Sequence, residues 1–213
     1  MSAVNYHKLL LQRIEKNKRE GVIPKLLMHA CCAPCLTYTL DFLSPFFDVA
    51  VYFYNPNIYG KEEYEKRLHT LESFLTQFNT AQNKKIKLIA PPYEPNKFYS
   101  FVKGFEKEKE GGGRCALCFE QRLSSTALYA AKNNYELFGT TLTISPHKNS
   151  ALINSIGENV AKKEGVEFLF SDFKKEGGYA KSIELCKQYG LYRQDYCGCY
   201  FSYKDKYFLG QGD

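Results

Sequence analysis

The chain has 213 residues, 44% hydrophobic and 24% charged, a balance that suits one medium-sized globular domain and excludes a disordered or fibrous chain. No stretch approaches 18 uninterrupted apolar residues, which excludes a helical membrane span, and the opening MSAVNYHKLLLQRIEKNKRE reads as an amphipathic helix without the features of a secretory signal. The net charge of +6 admits an RNA or phosphate partner without requiring one.

Further along, five apolar runs rich in branched and aromatic residues alternate with helical patterns. They are KLLMHA (25–30), DVAVYFYN (48–55), KIKLIAPP (85–92), YELFGTTLT (135–143) and VEFLFSD (166–172), each read as a short buried strand closed by a turn. Helices are predicted over 62–78, 118–133, 150–163 and 179–188, the first with a core stripe of Tyr64, Leu68, Leu71, Leu75 and Phe78. This alternation predicts an α/β fold: a Rossmann-like, mostly parallel sheet flanked by helices, in one domain over 1–213 whose cysteine-containing C-terminal segment begins near 172. The charged, then glycine-rich stretch 103–114, KGFEKEKEGGGR, reads as a mobile surface connection. In such sheets ligands collect beyond the carboxyl ends of the strands. Here those ends run into Cys31, Cys32 and Cys35, into Asn55 and Asn57, into His147 and Lys148, and into Asp172.

Eight cysteines are the outlying feature of the composition. A chain of this size can hold its fold by apolar burial, so the thiols point to metal or redox chemistry in a cytoplasmic setting rather than to a disulfide framework. Seven of them fall in three groups, HACCAPC (29–35), GRCALC (114–118) and YCGC (196–199), while Cys186 stands apart as a buried bystander on a helix. Cys115 and Cys118 open a helix, where free N–H groups favour thiolates. Together with the first group they offer at least four ligands, enough for tetrahedral zinc or an iron–sulfur cluster. The adjacent Cys31 and Cys32 crowd a single small ion and shift the balance toward the larger cluster. Cys197 and Cys199, with one glycine between them, form a pair that could cycle between dithiol and disulfide, or else complete or pack beside the metal site.

Five segments in this order, HACCAPC, YFYNPNIYGKEEYEKR (52–67), GRCALCFEQRLSSTALYA (114–130), TTLTISPHKNSALINSIG (140–157) and DFKKEGGYAKSIELCKQYGLYRQDYCGCYFS (172–202), resemble the QueH-type epoxyqueuosine reductases over nearly the whole chain. Departures at Tyr59-Gly60 and Ala180-Lys181 lie outside the cysteine groups. The resemblance implies an iron–sulfur-dependent oxidoreductase that carries out the last step of queuosine synthesis, the two-electron removal of the epoxide oxygen of epoxyqueuosine in a tRNA anticodon loop. It further implies an adenine nucleotide α-hydrolase-like (HUP) topology, a 4Fe-4S cluster on Cys31, Cys32, Cys115 and Cys118, and a redox-active pair, Cys197 and Cys199.

Deoxygenating an epoxide consumes two electrons and two protons and releases water. No nicotinamide or flavin glycine fingerprint follows a strand, so metal and sulfur must carry the electrons, supplied by an unidentified donor. Cys35, surplus to the four cluster ligands, is the candidate ligand of an additional mononuclear iron that would stabilise a developing alkoxide. Candidate proton donors are His29, His147, Asp195 and Tyr196. Candidate phosphate contacts are Arg114, Arg122, Lys148, Lys174, Lys175 and Arg193, with Tyr59, Tyr179 or Tyr192 stacking on bases. Two rival readings are an ATP-dependent tRNA sulfur-transfer or adenylating enzyme and a zinc-stabilised RNA-binding module. Against the former, the first strand runs into HACCAPC where a phosphate-cradling Gly/Ser loop is expected.

Overall fold

A computed structural model describes residues 4–209. In chain order it comprises α1 (Tyr6–Glu20), β1 (Lys25–His29), α2 (Ala33–Leu43), β2 (Asp48–Tyr52), α3 (Lys61–Gln82), β3 (Leu88–Ile89) and α4 (Pro95–Phe101). There follow α5 (Gly113–Lys132), β4 (Leu137–Thr140), α6 (Ser150–Glu164), β5 (Glu167–Phe168), α7 (Gly178–Gln188) and α8 (Tyr200–Lys204). The strands form one sheet in the order β3-β2-β1-β4-β5, every pair parallel. This is the doubly wound order, and it reverses at the boundary between β1 and β4.

Alternation along each strand builds two cores. Leu26, Met28, Val49, Val51 and Leu137 face one layer with Leu36 and Leu40 of α2 and Phe74 of α3, while Leu27, Ala50, Tyr52 and Phe138 face the other with Leu123 of α5 and Ile153 of α6. The predicted stripe on α3 is core: Tyr64, Leu71, Leu75 and Phe78 are buried and Leu68 packs beside them. Helix ends follow local chemistry. Asn5 and Asn149 cap α1 and α6 by accepting from Lys8 N and Leu152 N, and Gly21 and Gly165 end those helices in the left-handed conformation.

All five strands are shorter than their apolar runs: β1 stops one residue early, at His29, and β2 three residues early, at Tyr52. The 85–92 run pairs only at Leu88 and Ile89, the 166–172 run only at Glu167 and Phe168, and the 135–143 run leaves the sheet after Thr140 for a 3-10 turn over Thr141–Ile144. β3 and β5 are edge strands whose pairing length is set by one neighbour, and β2 itself ends at Tyr52, opposite Ile89. Helix α5 starts at Gly113, earlier than the predicted 118, because the glycine run turns directly into the helix. The 103–111 stretch lies at the surface, tied to α5 by buried Arg114, whose guanidinium donates to the carbonyls of Glu106 (2.9 Å) and Glu108. Among the described residues, no helix is long and apolar enough to cross a membrane.

Candidate metal centre

The chain leaves β1 at the point where strand order reverses, and its backbone is fastened there from two sides. Asn55 Nδ2 donates to Ala30 O (2.9 Å), and Cys31 N donates to Thr141 Oγ1 (3.3 Å), just past β4. Cys32 is extended before α2, and Pro34 starts that helix, so Cys35 comes round one turn later beside its two predecessors. The Sγ atoms of Cys31, Cys32 and Cys35 all lie within 4.8 Å of one another. Hydrogen bonds from the Cys32 and Cys35 thiols, helped by Lys148 and Thr141, hold Cys31 well below the usual thiol range despite its burial. Cys32 and Cys35, donating toward Cys31, are pushed up, Cys32 to about 12. The triad thus favours one thiolate among two protonated neighbours.

Cys115 and Cys118 occupy the first turns of α5, outside this triad. Cys115 Sγ accepts from Gly111 N (3.2 Å), and burial pushes the Cys118 thiol up to about 11. Cys199 is buried before α8, with its Sγ accepting from Ser202 N (3.5 Å) and its thiol pushed up to about 12 by burial. All eight cysteines are free thiols, and Cys186 sits apart on α7.

Two adjoining cavities connect these groups. The larger, about 890 Å³, is lined by Cys31, Cys35, Cys197, Tyr196, Arg122 and Lys148; the smaller, about 100 Å³, by Cys115, Cys118, Cys197, Cys199, Arg122 and Lys148. Cys197, Arg122 and Lys148 therefore stand on both. Arg122 is 2% exposed, its Nε donates to Cys118 O (3.0 Å), and one Nη has no partner among the described residues. Burial works against the charge on Arg122, and Cys118, Cys197 and Cys31 outweigh it. Lys148 stays charged for the same reason, with Cys197 and Cys31 offsetting its desolvation. Three thiols at one point, two more across a shared wall and two cations among them fit an anionic thiolate-ligated metal group.

Several predicted site residues have other roles. Arg114 is a structural pin under the Phe201 ring (4.2 Å), not a phosphate contact, and Arg122 serves the thiols rather than the surface. His29 is fully buried between Thr140 Oγ1 (3.0 Å) and Tyr54 O (3.2 Å), and burial lowers its pKa to about 4, so it is a neutral packing group rather than a proton donor. Lys174 pairs with Asp172 (3.0 Å), and Tyr192 bonds Glu63 (3.3 Å) beneath Lys66. Asn55 is scaffold; buried Asn57 faces the smaller cavity with its Oδ1 unpartnered. His147, Asp195 and Tyr196 do line the larger cavity; burial pushes Tyr196 up to about 12, and Asp195 is held low by Lys206 and Tyr207. Lys175, Arg193 and Tyr59 are exposed, and Tyr179 lines the larger cavity with Arg193 bonded to its hydroxyl (2.9 Å). Sequence reasoning missed Arg67, which also lines that cavity; the available signal was a charge on the apolar stripe of α3, between Tyr64 and Leu71.

A doubly wound parallel sheet with a cation-backed cluster of thiols at its switch point defines a Rossmann-type protein with a site able to hold a metal. The family model described as epoxyqueuosine reductase QueH matches residues 26–205, and the chain belongs to that family. It is 48% identical over 201 residues to the epoxyqueuosine reductase QueH of Staphylococcus aureus (93% of this chain, 84% of that one). It is 44% identical to that of Streptococcus pyogenes over 201 residues (94% and 79%), and 40% identical to that of Thermotoga maritima over 177 residues (83% and 89%).

Proposed function

We propose that the chain reduces epoxyqueuosine to queuosine in tRNA, in the cytoplasm, on a HUP-type variant of the doubly wound fold. The observation that carries the reading is the convergence of six thiols with Arg122 and Lys148 on adjoining cavities at the switch point, with Cys32 grouped beside Cys31 and Cys35, in a member of this family. The donor set supports a 4Fe-4S cluster held by Cys31, Cys32, Cys115 and Cys118, with Cys35 left for an additional mononuclear iron. Such a cluster, when bound, supplies electrons one at a time.

The protein's own groups then have distinct tasks. Cys197 and Cys199 release two electrons and two protons on forming a disulfide; the epoxide consumes the same two electrons and two protons to give an alkene and water, and an external electron donor restores the dithiol. Lys148, an ammonium among Cys31, Cys35 and Cys197, is placed to donate a proton to the oxygen as its bond to carbon breaks. Arg193, an exposed residue on the lining of the larger cavity, and exposed Lys175 offer phosphate contacts, and Tyr59 and Tyr179 offer rings for unpaired bases. The ATP-dependent rival is not favoured: Cys31 and Cys32 occupy the turn after β1 where a phosphate loop would lie.

The test is anaerobic purification with iron and sulfide analysis, followed by incubation with epoxyqueuosine-containing tRNA and a reductant. Iron with sulfide and conversion to queuosine are expected. A zinc-only protein without conversion would favour the RNA-binding module and refute the proposal.

A further inference from the structure

Arg67 is the charged residue among the buried positions of α3, and nothing in the mechanism above uses it. Its side chain is 2% exposed. A buried guanidinium needs partners on its edges to offset desolvation, and those of Arg67 run toward the cysteine pair. Nε donates to Glu63 Oε1 (2.6 Å), and Nη1 donates to the carbonyl of Cys197 (3.2 Å). The guanidinium carbon lies 5.1 Å from the centre of the Tyr196 ring, which closes over it.

The segment it holds is also tied by Cys197 N donating to Ser202 Oγ (3.1 Å), by Lys206 donating to Asp195 O (3.0 Å) and by Arg193 donating to the Tyr179 hydroxyl (2.9 Å), but no regular element stiffens it. Residues 191–199 contain no helix or strand. Gly198 crosses Arg67 so closely that a Cβ would lie 2.6 Å from Nη1, and its φ of +122° belongs to the region that favours glycine. On the far side, Tyr59 N donates to Gly198 O (2.8 Å), and the Tyr192 hydroxyl reaches both oxygens of the Glu63 carboxylate (3.3 Å each) that holds Arg67. Helix α3 and the loop before it thus hold the consecutive carbonyls of Cys197, the thiol that lines both cavities, and Gly198.

We propose that Arg67 is the positioning residue for Cys197, a fork-shaped clasp that seats the Cys197-Gly198-Cys199 backbone so that the Cys197 thiol faces the shared wall of the two cavities. The role deepens, and rests on, the reading of this pair as redox thiols. It requires a planar guanidinium: a lysine ammonium has no rigid fork to span Glu63 and the Cys197 carbonyl together. It also requires Gly198, because the clasp occupies the space of a side chain.

The experiment compares wild type with Arg67→Lys, Arg67→Ala, Gly198→Ala and the Arg67→Ala/Gly198→Ala double variant, all purified anaerobically. The first readout is the iodoacetamide alkylation rate of Cys197 relative to Cys186, measured by quantitative peptide mass spectrometry. Arg67→Lys is expected to change that ratio several-fold while Cys186 reacts as in wild type. The second is turnover of epoxyqueuosine-tRNA, where kcat should fall about tenfold or more with KM for the RNA within about twofold, as for a misplaced reacting group. In the double variant the effects of Gly198→Ala and Arg67→Ala should be less than multiplicative, because both disturb one contact. A generally structural role would accelerate alkylation of Cys186 and Cys197 together and lower the melting temperature, and that result overturns the proposal. So does an Arg67→Lys protein with an unchanged ratio and kcat. If wild type fails to convert the tRNA, the functional reading falls, and the alkylation ratio still decides the role of Arg67.

Discussion

Gly177 and Gly178 are adjacent glycines with opposite reasons to be glycine, and replacing each by alanine should separate them. A Cβ on Gly178 would lie 2.0 Å from the carbonyl oxygen of Phe173 and 2.5 Å from the Tyr38 ring. That is roughly 1.5 Å inside ordinary contact. Tyr38 is half-buried and can turn aside, but Phe173 is 1% exposed and fixed in the core, so α7 must move instead. Overpacking of this kind costs about 3 kcal/mol at the upper end of its usual range. Gly177 has nothing within 4 Å of its Cβ position and a φ of +74°, so alanine there meets only backbone strain, costing about 1 kcal/mol. With a urea dependence of about 2 kcal/mol per molar, Gly178→Ala should lower the unfolding midpoint by about 1.5 M and Gly177→Ala by about 0.5 M. Because α7 carries Tyr179 and Ser182 on the wall of the larger cavity, Gly178→Ala should also depress turnover. Urea unfolding by circular dichroism checks the order; if Gly177→Ala costs as much as Gly178→Ala, close approach to Phe173 is not what excludes a side chain at 178.

Three further outcomes are expected. His29, with its pKa lowered to about 4 from 6.5, binds its proton more weakly folded than unfolded, so its contribution is present above pH 6.5 and is lost as pH falls toward 4; the loss is about 3 kcal/mol, and His29→Asn should flatten that limb when the metal-free chains are compared by urea unfolding. Arg114→Met removes the pin on residues 106–108 and the cation over Phe201, and should cost about 2 kcal/mol in the same assay; the salt dependence of RNA binding should stay unchanged, since this arginine meets no phosphate. Lys148→Met should lower single-turnover reduction of epoxyqueuosine-tRNA by about a hundredfold with metal content retained; turnover equal to wild type would remove Lys148 from proton transfer.

Periodicity in the sequence made the sheet legible because alternate residues of β1 and β2 enter opposite cores, but it could not set strand ends. Those depend on the neighbour: Ile89 pairs with Tyr52, where β2 stops, so the apolar residues beyond it have no partner. The cysteine groups were legible for a local reason, since the thiols of 31, 32 and 35 are close in sequence and stay close in space. The cations were not: Arg114, Arg122, Lys148 and Arg193 look alike in sequence, and burial together with the partners each one meets makes them a pin, a thiol partner, a wall shared by two cavities and an exposed cavity residue. Two of the buried arginines carried an unused signal, because Arg67 lies on the stripe of Tyr64 and Leu71, and Arg122 on that of Phe119, Leu123 and Thr126. A guanidinium placed on an apolar stripe costs several kcal/mol in desolvation unless negative charge meets it inside. Arg122 has a carbonyl on Nε and, among the described residues, no partner on one Nη, and four cysteines supply the strongest opposing influences on it. Neutral thiols would leave most of that cost uncompensated; Cys31, the thiol held low, meets part of it, and metal ligation, which takes the other cysteines as thiolates, would meet the rest.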